Sequence, residues 1–191
     1  RHGCFGPQVP VLEISCALDG QSKRMSGHTE VFRGVNGRYL AARWHDLFTY
    51  YYVAEDSPEN VAAYRGWVVR HKPQFPQGIA TTVWVDSVGA RNPPSKRVRE
   101  SYAEFAASDL IIQRARLNLV EADGFSGATA RSVLTGMNLL RRLSFPQHVA
   151  KDPVEGMSWL FSVLPPAPER KTPEEAAAFF KAQIVEYRAN R

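Results

Sequence analysis

Two predicted helix starts carry the side chains of this sequence that could do chemistry. Ser95 opens one predicted helix, and Asp123, Gly124, Ser126 and Thr129 lie in a loop, 123–129, between a predicted strand and the next helix. Backbone N–H groups at a helix start can hold an anion, and a phosphate there would meet the positive end of the helix dipole. We therefore consider Ser95 as a phosphoacceptor and loop 123–129 as a loop that binds a ligand or partner. Both places are also explained by ordinary helix caps.

The same loop resembles the turn that presents a catalytic serine. Gly124-Phe125-Ser126-Gly127-Ala128 approaches the Gly-x-Ser-x-Gly pattern of a nucleophile elbow, with alanine in place of the last glycine. His148 and then Asp152 follow, whereas that fold places the acid before the histidine. A serine hydrolase using Ser126 is thus an alternative, and the favoured interpretation is that the chain has no catalytic residues.

Composition favours a cofactor-free domain. The histidines lack metal-ligand spacing, and the only cysteines, Cys4 and Cys16, lie near the start of the chain, so we predict no metal site, no cofactor and a reducing cytoplasm. No apolar run approaches the roughly 18 residues that span a bilayer. The net charge of +5 is mildly basic, and basic side chains without interleaved aromatics indicate solvated helix faces, so we predict no nucleic-acid partner.

The elements that must position these residues alternate between strands and helices. Asn36-Gly37 predicts a hairpin, and strands are predicted near 48–53, 79–85, 117–120 and 148–150. Helix-start signals stand at Ser57 and Ser95, near Gly124, and at Asp152 and Thr172. This order predicts an α/β fold: a mixed sheet of about four to six strands flanked by four helices, with an appended C-terminal helix.

The pattern divides the chain into three parts. Residues 1–24 lack periodicity and are predicted to be a disordered tail or upstream read-through, with a genuine extra strand at 9–14 as the alternative. Residues 25–164 form the α/β domain. Residues 165–191 form a Pro-rich linker and a last amphipathic helix, which packs on the domain or on a partner because it cannot be stable alone.

Three segments carry a family resemblance: the strand end Val83-Trp84-Val85-Asp86, the strand and helix at 117–143, and the ending His148-Val149-Ala150-Lys151-Asp152-Pro153 with the following Glu155 and Trp159-Leu160. Over about residues 29–162 the chain resembles the STAS domain (sulphate transporter and anti-sigma factor antagonist), in the divergent form found in soil bacteria, especially myxobacteria. This resemblance implies a STAS-like fold without catalytic activity.

The resemblance also implies a position for a regulatory serine. In STAS-like proteins that serine begins the helix after the central strand, usually within Asp-Ser-Ser/Thr-Gly. The matching place here is Pro93-Pro94-Ser95-Lys96, which lacks the aspartate and the glycine. The residues Asp86-Ser87-Val88-Gly89 match this motif better in residue type. The sequence pattern places them at the end of the predicted strand, before the predicted helix start at Ser95.

These observations predict a regulatory or protein-interaction module of the bacterial cytoplasm. We expect a protein partner, with a second copy of the chain among the candidates, and a docking surface at 92–97 and 123–129. A domain that binds a small molecule or lipid between sheet and helices is the first alternative, and a hydrolase using Ser126 is the second.

Overall fold

A computed structural model describes residues 22–26, 29–33, 39–52, 56–108, 110–140, 143–167 and 169–190. The alternative strand at 9–14 and the predicted turn at Asn36-Gly37 lie outside these residues. The described strands form one sheet. They are β1 (Ser22–Ser26), β2 (Thr29–Arg33), β3 (Leu40–Trp44), β4 (Leu47–Tyr52), β5 (Ile79–Val85), β6 (Gln113–Val120) and β7 (Gln147–Ala150).

The strands lie side by side in the order of the chain. Strands β1 to β4 pair antiparallel, whereas β4 to β7 pair parallel. Helices join the parallel strands, which confirms the predicted α/β fold with a mixed sheet and a C-terminal helix. The described sheet has seven strands, one more than the upper end of the sequence-based expectation.

All the described helices except α2 begin where the sequence signals predict. They are α1 (Pro58–His71), α2 (Ser87–Arg91), α3 (Lys96–Ala107), α4 (Gly124–Leu140), α5 (Pro153–Val163) and α6 (Pro173–Ala189). The side chains of Ser57, Ser95 and Asp152 each accept a backbone N–H of the first turn of α1, α3 and α5. Thr172 and Glu175 form a reciprocal capping box at α6. These contacts satisfy N–H groups that have no partner within the helix.

Helices cover both faces of the sheet. Because parallel strands follow one another in order and such crossovers are right-handed, α1, α3 and α4 lie on one face. Helices α5 and α6 cover the other. The tyrosines of β4 alternate between the two faces: Tyr50 packs against Tyr64 of α1, and Tyr51 packs against Tyr187 of α6.

Helix α6 is joined to the sheet by a partly buried ion pair. The guanidinium of Arg170, just before α6, lies with Nε 2.9 Å and Nη2 3.1 Å from the two carboxylate oxygens of Asp46, in the β3–β4 turn. Phe180, Ile184 and Tyr187 of α6 are buried, and α6 packs on β3 and α5. The last helix is thus part of the sheet's second covering layer.

The sheet starts before the predicted boundary at residue 24. Strand β1 begins at Ser22 and pairs with β2, with Ser22 opposite Phe32 and Arg24 opposite Glu30. The sequence Ser-Lys-Arg-Met-Ser has no apolar alternation, so the hydrophobic pattern could not reveal a strand whose pairing uses the backbone. Residues 22–24 therefore belong to the sheet.

Among the helices that the structure describes, none combines the length and the apolar composition that a bilayer span requires.

Candidate functional site

The carboxyl ends of β4, β5, β6 and β7 lie at one edge of the sheet, which we call the carboxyl edge. Helices α1, α2, α4 and α5 each begin there, and ligands of open α/β sheets generally bind at this edge. Acidic residues follow every one of these strands. They are Asp56, Asp86, Glu121, Asp123 and Asp152.

Asp56 is a half-buried acceptor beyond the end of β4. Its Oδ1 accepts the Tyr50 hydroxyl at 2.7 Å and the Ser57 N–H at 2.8 Å, and its Oδ2 accepts the Tyr102 hydroxyl at 3.1 Å. Burial raises the pKa of Asp56 above its ordinary 3.8, although these hydrogen bonds act in the opposite direction. Asp56 thereby ties β4 to α1 and α3.

Asp86 joins β5 to both helical layers. Its Oδ1 accepts the N–H groups of Val88 and Gly89, and its Oδ2 accepts the Tyr51 hydroxyl at 2.6 Å and Arg188 Nη2 of α6 at 2.9 Å. Burial acts to raise the pKa of Asp86, but the bonds from Gly89 and Tyr51 and the charge of Arg188 outweigh it, so this pKa lies below 3.8.

The other carboxylates of the edge are also engaged by the chain's own donors. Glu121 accepts Trp84 Nε1 at 2.9 Å, with Lys181 at 3.4 Å. Asp123 lies 2.6 Å from Lys151, and Asp152 caps α5. In the described part of the chain, no three His, Cys, Asp or Glu side chains gather as metal ligands. These acids therefore hold strands to helices.

Ser95 lies at the carboxyl edge as the N-cap of α3. Its exposed side chain accepts the N–H of Val98 at 3.4 Å, which is the capping geometry of the simpler interpretation. The Tyr52 hydroxyl donates to the carbonyl of Asn92 at 2.7 Å and so ties this segment to β4. Nothing in this geometry distinguishes Ser95 from an ordinary cap.

The structure changes the interpretation of Asp86-Ser87-Val88-Gly89. Asp86 is the N-cap of α2, and the exposed Ser87 is the first residue of this helix, directly after β5. A Cβ on Gly89 would lie 2.8 Å from Tyr52 Cδ1 and 3.0 Å from Val85 Cγ1, so the position requires glycine. Sequence reasoning missed α2 because five residues are too few to show helical periodicity. The helix start that follows the strand is thus at Ser87, eight residues before Ser95.

Loop 123–129 is the first part of α4. Gly124 has φ +66°, a left-handed conformation that favours glycine, and the helix begins there. Asp123 is exposed and pairs with Lys151, Thr129 is exposed, and Ser126 is half-buried. The loop lies between a strand and a helix, as predicted. Its most exposed large apolar side chain is that of Phe125, which is 88% exposed.

Three apolar side chains of the carboxyl edge are exposed to solvent. Val88 of α2 is 52% exposed, Phe125 of α4 is 88% exposed and Val154 of α5 is 37% exposed. Each belongs to the first turn of its helix, and α2 packs against α4. Single exposed apolar residues are common, but several at one edge mark an interaction surface.

The structure does not assemble Ser126 with His148 and Asp152. The His148 ring stacks on Trp159 of α5, with centroids 4.8 Å apart, on the face of the sheet opposite α4. Asp152 accepts the Glu155 N–H as the cap of α5. Ser126, on α4, is therefore separated from the imidazole by the sheet.

Aromatic rings fill the space between the sheet and α1. Tyr50 and Tyr64 lie 5.0 Å apart by ring centroids, Phe48 and Trp67 lie 5.2 Å apart, and Trp67 is buried. Two cavities of about 410 and 550 Å³ lie along α4 and open to the surface. The apolar layer that a lipid would need is occupied by side chains in this region.

Comparison with protein-family models, with curated proteins and with solved structures finds no match for this chain.

Proposed function

We propose that this chain is a non-catalytic protein-interaction module of the STAS-like kind, acting in a bacterial cytoplasm. Its docking surface would be the carboxyl edge, centred on Val88 of α2 and Phe125 of α4. The order of elements supports the proposal, because antiparallel strands precede helix-linked parallel strands and a short strand and helix, as the resemblance implies.

The observation that carries the proposal is the exposure of Phe125. Burying a phenylalanine side chain against a partner gains about 1.5–3 kcal/mol, and aromatic residues dominate the energy of protein interfaces. The acids around Phe125 are engaged by the chain's own donors, as Asp123 is by Lys151. A partner is therefore offered an apolar centre with a polar rim, which is the common anatomy of an interface.

We further propose that Ser87, and not Ser95, is the regulatory serine. Ser87 is exposed and precedes Val88 in α2, so a phosphate there would place about two negative charges beside the apolar centre. A charge at an apolar contact opposes docking because it must be desolvated. Phosphorylation of Ser87 would thus release the partner.

The experiment is quantitative capture of proteins from lysate of the source cells by the immobilised chain. Phe125→Ser and Val88→Ser should each reduce the capture of the specific partner by about tenfold or more. Val185→Ser is the matched control, because the exposed fraction of Val185, 56%, is close to the 52% of Val88, whereas Val185 lies on α6. If the Phe125 and Val185 variants capture the same proteins in the same amounts, the carboxyl edge is not the docking surface.

The role of Ser87 is tested with the captured partner. Ser87→Asp should weaken binding by about tenfold, whereas Ser95→Asp should leave it within about twofold, since only Ser87 adjoins Val88. A larger effect of Ser95→Asp would contradict the assignment and favour the position that the sequence alone suggested.

A further inference from the structure

The edge strand β7 leaves backbone groups directed away from the sheet. Arg116 of β6 donates its N–H to the Pro146 carbonyl at 3.0 Å, and Arg116 lies opposite Gln147. Parallel pairing alternates, so the N–H groups of His148 and Ala150 point to β6, and those of Gln147 and Val149 point to the other side. No described strand pairs with β7 on that side.

The two edges of the described sheet differ in charge. Strand β1, at one edge, contains Lys23 and Arg24, and such charges protect an edge against pairing with another chain. Strand β7 has the sequence Gln-His-Val-Ala, without Lys, Arg, Asp or Glu. The β7 edge therefore lacks that protection.

The helices on both sides of β7 are also nearly uncharged. Helix α4 has 17 residues and one charged side chain, Arg131, whose Nη1 donates to the carbonyls of Val120 and Ala122. Helix α5 has 11 residues and one charged side chain, Glu155. By contrast, α3 and α6 carry five charged residues each. Surface helices normally direct charged residues to solvent, so α4 and α5 have the composition of covered helices.

Two grooves lie along this side of the domain. The exposed Thr135 of α4 lines both of them. A groove of about 410 Å³ beside β7 is lined by residues that include Leu143, Phe145 and Val149. A second groove, of about 550 Å³, follows α4. Helices of low charge and the two grooves therefore flank the β7 edge, with Arg131 lining the second groove and the Arg116 guanidinium 5.7 Å from the centre of the Phe145 ring.

We propose that this surface, formed by β7 and the outer faces of α4 and α5, binds a second copy of the same chain. Strand β7 contains no Lys, Arg, Asp or Glu, so two copies of it can pair without placing like charges opposite each other. Antiparallel pairing of β7 with β7 about a two-fold axis is isologous and joins the two sheets. It also brings α4 beside α4, where Ala128, Ser132 and Gly136 recur every four residues and allow close approach.

The inference does not depend on the proposed function, because the two surfaces occupy different edges of the sheet. Val88→Ser, in α2, should reduce partner capture by about tenfold and leave self-association unchanged. Thr135→Lys should weaken self-association and leave partner capture unchanged.

The test is sedimentation equilibrium of the full chain. At micromolar concentration the wild type should have twice the 21.4 kDa mass of a single chain. Thr135→Lys should raise the dimer dissociation constant by at least about tenfold, because Thr135 lines both grooves and the lysine would place a charge in a desolvated contact. Val185→Lys, at an exposed position of α6, is the control and should leave the constant unchanged. A wild type that is monomeric up to about 100 µM would overturn the proposal.

Amide hydrogen exchange tests whether the strand edge takes part. The N–H groups of Gln147 and Val149 should be protected in the wild-type dimer and should exchange rapidly in Thr135→Lys, while those of His148 and Ala150 stay protected in both. A dimer with unprotected Gln147 and Val149 would overturn the edge pairing. Protection of both in a monomer would also contradict the proposal, since another segment would then cover the edge.

Discussion

The Nε2 atom of His71 lies 2.9 Å from Oε2 of Glu30, and both side chains are buried, at 7% exposure each. His71 Nδ1 lies 2.8 Å from the carbonyl oxygen of Trp67, which can only accept, so Nδ1 carries a proton. Trp67 Nε1 donates to the other oxygen of Glu30 at 3.0 Å. The imidazole and the carboxyl group thus join the end of α1 to β2.

Loss of the imidazole should destabilise the fold strongly. His71→Ala leaves the Glu30 carboxyl buried without this partner, and removal of one member of a buried pair typically costs about 3–5 kcal/mol. We expect the free energy of unfolding in urea, followed by tryptophan fluorescence, to fall by about that amount.

Arg70→Ala is the neighbouring control for this variant. Arg70 is exposed on α1, so its removal should change the free energy of unfolding by no more than about 0.5 kcal/mol. Equal stabilities of the His71 and Arg70 variants would show that the buried pair does not contribute.

Two glycine-to-alanine changes should have opposite effects. At Gly89 the new Cβ would lie 2.8 Å from Tyr52 Cδ1, and such overpacking costs about 1–3 kcal/mol. At Gly66, inside α1, the nearest heavy atom is Arg70 Nη1 at 4.0 Å, so alanine should stabilise the helix by about 0.5–1 kcal/mol. Thermal melting of both variants measures the difference, and a Gly89→Ala protein as stable as the wild type would contradict the packing of α2 on Tyr52.

Asp86 should stabilise the fold only above its lowered pKa. The folded-state pKa lies below 3.8, so the contribution is present above 3.8 and is lost as the pH falls through the folded-state value. Asp86→Asn should cost about 1–3 kcal/mol near pH 6. Urea titrations at about pH 6 and about pH 2.5 should show that the gap between wild type and variant narrows in acid; a gap of constant size would contradict this prediction.

Asp56 should show the opposite pH dependence. Burial raises its folded-state pKa above 3.8, so its contribution is largest below 3.8 and falls as the pH rises through the folded-state value. Asp56→Asn keeps an acceptor for Tyr50 and Ser57 without the charge. We expect this variant to gain stability relative to the wild type between about pH 3.5 and about pH 7, measured by the same urea titrations. A relative loss over that interval would show that the carboxylate is favoured in the folded protein.

Local patterns in the sequence were sufficient for most of the fold. Capping residues such as Ser57 and Thr172 mark helix starts because the first turn needs side-chain acceptors, and alternation of apolar residues places Tyr50 and Tyr51 on opposite faces. Strand β1 was missed because Ser-Lys-Arg-Met-Ser has no apolar alternation, and helix α2 was missed because five residues are too few to show helical periodicity.

The carboxyl edge was only partly predictable. Acidic residues such as Asp86 and Asp152 follow predicted strands closely. This pattern is visible in the sequence and indicates the carboxyl edge, but a search for known motifs does not use it. Their partners could not be found in this way, because Arg188 lies 102 residues beyond Asp86 in the chain. Such contacts follow from the packing of α6, which no local pattern specifies.

The pairing of Arg170 with Asp46 joins residues 124 positions apart, and that of Arg33 with Glu186 joins residues 153 apart. During biosynthesis, the face of the β3–β4 hairpin that packs on α6 therefore stays uncovered until α6 has left the ribosome. Until then a nascent chain exposes Leu40, Ala42 and Leu47, a surface prone to aggregation. Premature termination before residue 170 would accordingly yield a product that depends on chaperones, even though every strand of the sheet had been translated.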